Sequence, residues 1–135
     1  MKATAINHTA ALAAQSRYAA TPLRALNPRT LTVDIVLPVL NEVHILEKSV
    51  RTLCAYMDDN LPYRYQIAIV DNGSTDGTRQ VAAILAEHFP AVRAVCLPKK
   101  GRGRALKQVW LQSRADIVSY MDIDLSTNLG AFVPM

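Results

Sequence analysis

The sequence lacks the features that mark several large protein classes. It has only two cysteines, Cys54 and Cys96, which form neither a CxxC motif nor a metal-ligand spacing. We therefore expect no disulfide framework, a reducing compartment, and two small side chains buried in the core. No apolar run reaches the roughly 20 residues that a membrane-spanning helix needs, and the amino terminus lacks the apolar segment of a signal peptide.

Charge is modest and concentrated in one place. Of the 135 residues, 50% are hydrophobic and 19% are charged, which is typical of one globular domain. The formal net charge is +4, and the segment 99–104 alone holds four of the 15 lysines and arginines. Such a cluster indicates an anionic ligand rather than a surface that coats nucleic acid, so no nucleic-acid partner is expected.

Residues 1–31 differ in composition from the rest of the chain. They show no core-forming periodicity, and an alanine-rich stretch that could be helical is followed by Pro22 and Pro28. We therefore expect a flexible leader there, helical in part.

From residue 32 onward, apolar β-branched runs alternate with amphipathic segments of helical period. Four strands are predicted, at residues 32–38, 65–70, 92–97 and 116–121, with a helix between successive strands. This order predicts an α/β fold with a Rossmann-like parallel sheet, flanking helices and the strand order 3-2-1-4.

A polar loop follows each predicted strand. In a doubly wound sheet the carboxyl ends of the strands share one edge, and ligands bind there where the chain order reverses, between strands 1 and 4. The loops of this chain are residues 38–42, residues 71–78, residues 99–104 and the pair Asp122 and Asp124. Four polar loops at one edge predict a binding site better than any single motif does.

The loop after strand 4 carries two carboxylates one residue apart. Asp122 and Asp124 would face the same side if the strand continued to them, because side chains at i and i+2 do so. Like charges this close need a neutralising partner, and hard cations such as Mg²⁺ or Mn²⁺ prefer carboxylate oxygens. Both residues are therefore candidate metal ligands and catalytic residues. The alternative is that one aspartate turns the chain and the other caps a helix.

The residues after strands 1 and 2 have side chains suited to a nucleoside. Asp71 could accept a hydrogen bond from a ring N–H of a nucleobase, or could form only an Asx turn. Glu42 could orient a base or a ribose hydroxyl, or serve only as a carboxylate in the first turn of a helix. Asn41 has the alternative of capping that helix.

The basic loop after strand 3 is suited to phosphate. Gly101 and Gly103 allow a ligand to approach the backbone closely, and Arg102 and Arg104 could meet phosphate oxygens. The alternative is a solvated basic turn. Trp110 lies at helical spacing from an upstream leucine and is predicted to be a core residue.

Four segments of the chain carry a family resemblance. They are Pro-Val-Leu-Asn-Glu at 38–42, Val-Asp-Asn-Gly-Ser-Thr-Asp-Gly-Thr at 70–78, Gly-Arg-Gly-Arg-Ala-Leu at 101–106 and Met-Asp-Ile-Asp-Leu-Ser at 121–126. In this order they resemble the motifs of the family 2 glycosyltransferases, and among them the dolichol-phosphate (polyprenyl-phosphate) mannosyltransferases. Three positions depart from the common pattern. Leu40 and Asn72 occupy positions where many members have tyrosine and aspartate, and Ser126 occupies a position where many mannosyltransferases have glutamine.

The resemblance implies a GT-A fold, a nucleotide-sugar donor such as GDP-mannose or UDP-glucose, and Mg²⁺ or Mn²⁺ at the paired aspartates. It implies an inverting transfer of mannose or glucose to a polyprenyl or dolichyl phosphate, which is ionised at neutral pH and needs no strong base. The donor-binding residues that the resemblance and the loop positions imply are Pro38, Leu40, Asn41, Glu42, Asp71, Asn72, Gly101, Arg102, Gly103, Asp122, Ile123 and Asp124.

Met135 follows Asp124 by only eleven residues, whereas members of the family continue further. We therefore expect residues 32–135 to be the nucleotide-sugar-binding part of a truncated GT-A domain, which binds the donor with little turnover. Strand 4 would then lack its outer neighbour, and such an exposed edge favours self-association. The expected location is the cytoplasm, at the cytoplasmic face of a membrane if a missing C-terminal region provides an anchor.

Other functions remain open at this point. A haloacid-dehalogenase-type phosphatase also places Asp-x-Asp after an apolar strand, with the first aspartate as nucleophile and the second as acid and base, but that motif usually opens its domain. A nucleotide-binding remnant without activity would share the donor site. A NAD-binding Rossmann domain is disfavoured, because no G-x-G-x-x-G follows strand 1. The sequence leaves the sugar, the base and the acceptor undetermined.

Overall fold

The computed structural model describes residues 31–97, 102–125 and 129. The leader predicted for residues 1–31 thus lies outside the described residues except for Leu31, and its structure stays a prediction. Also outside them are Lys99, Lys100, Gly101 and Ser126.

Four parallel strands alternate with three helices along the described chain. The elements are β1 (Thr32–Val39), α1 (Val43–Asn60), β2 (Arg64–Asp71), α2 (Thr78–His88), β3 (Val92–Cys96), α3 (Arg102–Gln112) and β4 (Ile117–Tyr120). The strands form one sheet in the order β3-β2-β1-β4. The predicted α/β fold, parallel sheet and strand order are confirmed.

β1 lies at the centre of the sheet and pairs on both sides. It pairs with β2 from Thr32↔Arg64 to Val39↔Asp71, and with β4 from Val33↔Ile117 to Val36↔Tyr120. The chain order therefore reverses between β1 and β4, as expected. The carboxyl ends of these strands border a crevice where this class of sheet binds ligands.

The first face of the sheet carries the larger part of the core. Alternate residues of β1, from Val33 to Val39, pack there with the apolar stripe of α1 and with Leu85 of α2. The α1 stripe recurs at helical spacing, which is why this segment forms a helix with one buried side. Each fully buried aliphatic side chain of this kind contributes about 1.5–3 kcal/mol relative to exposure.

The second face is covered by α3. Val36 of β1 and Val118 of β4 pack there against Val109, and Trp110 is partly buried at the edge of the cluster. The Trp110 ring lies 6.2 Å, between centroids, from the ring of Tyr120. Trp110 therefore packs against the core, as predicted, but is only partly buried.

The prediction that the first strand ends at Pro38 was wrong. The strand continues to Val39, and Pro38 pairs in register with Val70. Residues of even number in β1 direct their backbone groups toward β4, since the carbonyl of Val36 accepts the N–H of Met121. The ladder to β4 has ended by Pro38, so the missing N–H costs no sheet hydrogen bond there.

Two smaller expectations were wrong. Cys54 is buried, but Cys96 is exposed, because it is the last residue of β3, an edge strand of the described sheet. The sequence also suggests Ser74 or Thr75 as the cap of the helix after strand 2, but α2 begins only at Thr78, after Gly77. Among the described helices, none is long and apolar enough to cross a membrane.

Candidate functional site

The loop between β1 and α1 is shaped by a single left-handed residue. Asn41 has φ 53°, a region in which asparagine is tolerated better than most residues. This turn directs its side-chain oxygen to the neighbouring loop, where Oδ1 accepts the N–H groups of Thr75 at 2.8 Å and Asp76 at 3.3 Å. The alternative that Asn41 caps α1 is therefore wrong. The residue joins two loops instead.

The neighbouring loop returns these hydrogen bonds. The hydroxyl of Ser74 accepts the N–H of Asn41 at 2.9 Å, and the hydroxyl of Thr78 accepts the N–H of Glu42 at 2.9 Å. Glu42 directly precedes α1, where N–H groups have no partner within the helix, and its N–H finds one on Thr78, the first residue of α2. We call the loops 40–43 and 72–78, joined in this way, the interlocked loops.

Asp76 completes the interlocked loops. Its carboxylate accepts the N–H of Thr78 at 2.8 Å, the Thr78 hydroxyl, and the N–H of Val43 at 3.4 Å. The hydrogen bond from the Thr78 hydroxyl is the main cause that lowers the pKa of Asp76 below its ordinary value. Asp76 is thus held as a carboxylate at neutral pH, and this fixes the loop geometry.

Asp71 ends β2 and is wholly buried. Its carboxylate accepts the N–H of Ser74 at 3.3 Å and the Nε–H of Arg79 at 3.2 Å. The bond to Ser74 is the local turn interaction that the sequence left open. Because Arg79 is about half exposed, it brings positive charge to the rim of the site. A contact between Asp71 and a nucleobase stays a prediction.

Asn72 follows Asp71 and is also buried. Its N–H donates to the carbonyl of Val39 at 2.9 Å, which fixes the backbone between the two strand ends. Its side-chain Oδ1 is buried and has no hydrogen-bond partner among the described residues. A buried acceptor of this kind costs about 1–3 kcal/mol when unpaired. A ligand that donates a hydrogen bond would recover that free energy.

The paired aspartates lie on a turn, not on a strand. β4 ends at Tyr120, so the strand geometry that would have aligned Asp122 and Asp124 does not persist to them. The N–H of Leu125, at φ 54°, donates to the carbonyl of Asp122 at 3.0 Å and closes the turn. The alternation of burial nevertheless continues. Met121 and Ile123 join the core of the first face, whereas Asp122 is half-buried and Asp124 is exposed.

This turn suits a cation that has further ligands of its own. The two carboxylates supply hard oxygen donors of the kind that Mg²⁺ and Mn²⁺ prefer. Within residues 31–97, 102–125 and 129, no group of three or more His, Cys, Asp or Glu side chains is placed to hold a metal ion. A cation at Asp122 and Asp124 would therefore take its remaining oxygens from water or from a bound ligand. Ile123 lies in the core, so any contact it makes with a ligand would come from its backbone.

The start of α3 lies at the same edge of the sheet, because α3 runs back from the carboxyl end of β3 to the amino end of β4. Gly103 is in its first turn and is exposed. A Cβ at this position would meet no atom of the described residues within 4 Å, so their packing does not require the glycine. Arg102 begins the helix. The structure does not describe its side chain, and Gly101 lies outside the described residues.

The candidate residues therefore meet on both sides of the end of β1. Val39 pairs with Asp71 on one side, and the chain leaves β4 beside Val36 on the other. With neighbouring strands about 4.8 Å apart, the strands β2 and β4 are separated laterally by about 10 Å across β1. The structure brings together the predicted residues of loops 38–42 and 71–78, with the paired aspartates across β1.

A second polar region was not foreseen. At the opposite, amino-terminal edge of the sheet, Asp34 is buried, accepts Nη2–H of Arg93 at 2.9 Å and accepts the hydroxyl of Ser113 at 2.8 Å. An open cavity of about 510 Å³ lies beside it, lined also by Arg64 and Arg114. The signal in the sequence was a lone acid inside the apolar run of β1.

Outside the site, burial shifts the pKa values of two titratable groups. Burial raises the pKa of the Tyr65 phenol, whose hydroxyl donates to Asp58 at 2.6 Å. Burial also raises the pKa of the Cys54 thiol. Both groups stay neutral at physiological pH and belong to the junction of α1 and β2, away from the carboxyl edge.

Comparison with known proteins identifies the family. The sequence model of glycosyl transferase family 2 matches residues 34–132, which include both interlocked loops, α3 and the paired aspartates. The chain belongs to glycosyltransferase family 2. The resemblance of the four motifs is thereby confirmed, and the phosphatase and NAD-binding alternatives lose their support.

Curated relatives of this glycosyltransferase chain come from archaea, protists and bacteria. Glycosyltransferase AglD of Haloferax volcanii is 30% identical over 99 residues, which are 72% of this chain and 16% of AglD. Dolichyl-phosphate beta-glucosyltransferase ALG5C of Trichomonas vaginalis is 26% identical, over 78% of this chain and 33% of its own length. Undecaprenyl-phosphate 4-deoxy-4-formamido-L-arabinose transferase of Pseudomonas fluorescens is 37% identical, over 69% and 28%. The chain thus spans about a third or less of these relatives.

A solved structure supports the fold. The mannosyltransferase PcManGT of Pyrobaculum calidifontis, determined in complex with GDP-Man and Mn²⁺, matches with a TM-score of 0.61 and 24% identity. The match covers 84% of this chain and 33% of that protein. The sheet described above is therefore the part of a glycosyltransferase fold that the sequence predicted.

Proposed function

We propose that this chain is the donor-binding part of a glycosyltransferase that moves mannose or glucose from a nucleotide sugar to a polyprenyl or dolichyl phosphate, with inversion. The observation that carries the proposal is the position of two polar groups on either side of β1. The interlocked loops lie on the side of β2, and the turn with Asp122 and Asp124 lies on the side of β4. Membership of glycosyltransferase family 2 supports the same use of this edge.

The nucleoside would bind at the interlocked loops. Leu40 is 38% exposed and offers an apolar surface to a base. The buried Oδ1 of Asn72 offers an acceptor, and Asp71 lies directly before it. Pro38 and Glu42 complete the backbone around this place. Because Oδ1 of Asn41 already binds the neighbouring loop, we propose that Asn41 holds the two loops of the site in position.

The diphosphate would lie between the Asp122 turn and the start of α3. Its oxygens would complete the coordination of Mg²⁺ or Mn²⁺ at Asp122 and Asp124, and the metal would supply stabilisation of the charge on the leaving nucleoside diphosphate. The first N–H groups of a helix favour anions, and the open space at Gly103 admits a ligand close to the backbone. Gly101 and Arg102 directly precede Gly103 in the sequence.

Chemistry and the names of two relatives support a lipid phosphate as the acceptor. A lipid phosphate is largely ionised at neutral pH, so its oxygen can attack the anomeric carbon without a strong protein base. A new bond then forms between that carbon and the acceptor oxygen, while the bond to the donor diphosphate breaks and its electron pair leaves with the nucleoside diphosphate. Two relatives are named for dolichyl-phosphate and undecaprenyl-phosphate substrates. The proposal includes action at the cytoplasmic face of a membrane.

Thermal unfolding tests the proposal directly. A ligand that binds only the folded chain raises the melting temperature. GDP-mannose or UDP-glucose at about ten times Kd should raise the Tm by about 5 °C or more when Mn²⁺ is present. Asp124→Asn should abolish the Mn²⁺-dependent part of this shift. Asp59→Asn, which changes an exposed acid at the end of α1, should leave the shift unchanged.

Two results would count against the proposal. One is the absence of any response to both sugar nucleotides and to their diphosphates. The other is an equal response in the wild type and Asp124→Asn, because the paired aspartates would then not hold the cation that the diphosphate shares.

A further inference from the structure

The described side chains of α3 include fewer buried ones than those of α1. Six residues of α1 are buried, including Leu46, Leu53 and Met57. Among the described side chains of α3, only Val109 is buried, at 1% exposure, and Leu106 and Trp110 are partly buried. A helix with one deep apolar contact can rock about that contact unless something else fixes its ends.

A polar tether fixes the carboxyl end of α3. Ser113 directly follows the helix, and its hydroxyl donates to Oδ2 of Asp34 at 2.8 Å. The same oxygen accepts Nη2–H of Arg93 at 2.9 Å, and Nε–H of Arg93 donates to Oε1 of Gln66 at 3.1 Å. Ser113 Oγ also accepts the N–H of Ala115 at 3.2 Å. The tether therefore joins the end of α3 to β1, β2 and β3.

The charge of Asp34 is difficult to explain by stability. Its side chain is only 5% exposed, and its second oxygen, Oδ1, has no hydrogen-bond partner among the described residues. Burying a carboxylate is costly even when it is paired, and well-packed apolar residues are often at least as stabilising. What a charge-assisted hydrogen bond gives instead is a fixed direction and distance. Asp34 is thus suited to setting the position of α3.

The position of α3 matters at its other end. An α-helix rises about 1.5 Å per residue, so Ser113 lies about 6 Å from Val109 along the axis, and Gly103 lies about 9 Å from it on the opposite side. If α3 rocks about Val109, its first turn moves farther than its tethered end does. Loss of the tether at the amino edge of the sheet would therefore displace the first turn of α3 at the carboxyl edge.

We propose that Asp34 and Ser113 are positioning residues for the donor diphosphate. They fix the angle of α3 on the second face, so that the first turn, with Gly103, meets the phosphate oxygens. This inference rests on the proposed function, which places the diphosphate there. The nucleoside, by contrast, binds at the interlocked loops, which no hydrogen bond links to the tether among the described residues.

The test separates the two parts of the nucleotide. Whichever of UDP or GDP stabilises the wild-type chain is titrated with Mn²⁺, and its free nucleoside is titrated in parallel, both followed by amide chemical shifts. Ser113→Ala should raise the Kd of the diphosphate by about three- to tenfold, the loss of part of one charge-assisted hydrogen bond. The Kd of the nucleoside should not change. Ser113→Thr keeps the hydroxyl and should restore most of the diphosphate affinity.

Cys54→Ala separates positioning from stability. It removes a buried side chain of α1, outside both the tether and the candidate site, so it should lower the Tm while the ratio of the two Kd values stays near that of the wild type. An equal loss of nucleoside and diphosphate affinity in Ser113→Ala, or no loss of either, would overturn the inference and leave the proposed function standing. If the wild-type chain binds neither UDP nor GDP with Mn²⁺, the proposed function fails, and the inference fails with it.

Discussion

The two halves of the candidate site are built in different ways. On the β2 side, loops 40–43 and 72–78 hold each other through Asn41, Ser74, Asp76 and Thr78, with distances down to 2.8 Å. On the β4 side, Asp122 and Asp124 lie on a turn. The nearby helix α3 has one buried side chain among those described, Val109, and a tether at its far end. The half proposed to bind the nucleoside is therefore held in place by its own hydrogen bonds, whereas the half proposed to bind the diphosphate would also use a cation and the ligand.

The difference suggests how affinity and chemistry are divided. A preorganised surface loses little conformational entropy when it binds, which suits recognition of the part of the donor that does not react. Charge changes during the proposed reaction occur on the diphosphate. A half that is completed by a cation and by oriented helix N–H groups can stabilise that charge. The variants below test this division, beginning with the largest expected effect.

Thr78→Val should damage the interlocked loops most. Thr78 is fully buried, and its hydroxyl accepts the N–H of Glu42 and donates to Asp76. Valine has nearly the same shape but leaves that N–H unpaired, so the free energy of unfolding should fall by about 2–3 kcal/mol. Urea unfolding measures the loss. Thr78→Ser keeps both hydrogen bonds and should lose less than half as much. An equal loss in both variants would mean that packing, not the hydroxyl, matters.

Asn41→Ala should have the next largest effect. It removes the acceptor for the N–H groups of Thr75 and Asp76. It also places alanine at φ 53°, a backbone conformation that alanine adopts less readily than asparagine does. Together these should lower the free energy of unfolding by about 2 kcal/mol. Nucleoside affinity should fall as well, while the ratio of diphosphate to nucleoside affinity stays constant. Asn41→Gly removes only the amide and relieves the backbone, so it should be the milder variant.

Gly103→Ala should act on the other half, with the opposite sign for stability. Nothing in the described chain obstructs a Cβ there, and alanine is favoured over glycine in helices by about 0.5–1 kcal/mol. The variant should therefore unfold at higher urea concentration yet bind UDP or GDP more weakly, with nucleoside affinity unchanged. Gain of stability without loss of diphosphate affinity would show that the first turn of α3 does not contact phosphate.

The smallest effect is expected in how the free energy of unfolding declines at acid pH. Hydrogen bonds from Thr78 lower the pKa of folded Asp76 below its ordinary value of 3.8. A group with a lowered folded pKa stabilises fully above its unfolded pKa, and this contribution is lost as the pH falls through the folded value. Asp76→Asn should therefore flatten the decline of stability below about pH 4. A variant whose pH profile parallels that of the wild type would contradict the role of this carboxylate.

Sequence patterns were sufficient where local chemistry decides structure. The apolar run of β1 and the spacing of Leu46, Leu53 and Met57 in α1 depend on burial alone, and the strand order follows from repeated strand–helix units. The edge of the sheet that carries the polar loops could be predicted for the same reason. The contacts between Asn41 and residues 74–78 could not, because they depend on how two loops far apart in the sequence meet.

Other features depend on tertiary context that no single segment contains. β1 passes through Pro38 because the ladder to β4 has already ended there. The exposure of Cys96 depends on β3 being an edge strand. The role of Asp34 depends on Arg93 and Ser113, which are 59 and 79 residues away. The roles of the donor-binding residues, the location and the self-association of the β4 edge stay predictions.

The central claim is that one divalent cation, held at Asp122 and Asp124, shares an edge of the sheet with the interlocked loops and the start of α3. Paramagnetic broadening by Mn²⁺ in the presence of UDP or GDP measures this most directly, with Mg²⁺ as the diamagnetic control. The amide signals of Asn72, Gly103 and Ile123 should broaden most, while those of Thr32 and Ala115, about 20 Å away at the amino edge, should broaden far less. Broadening centred on the amino edge, or broadening unchanged in Asp124→Asn, would contradict the account.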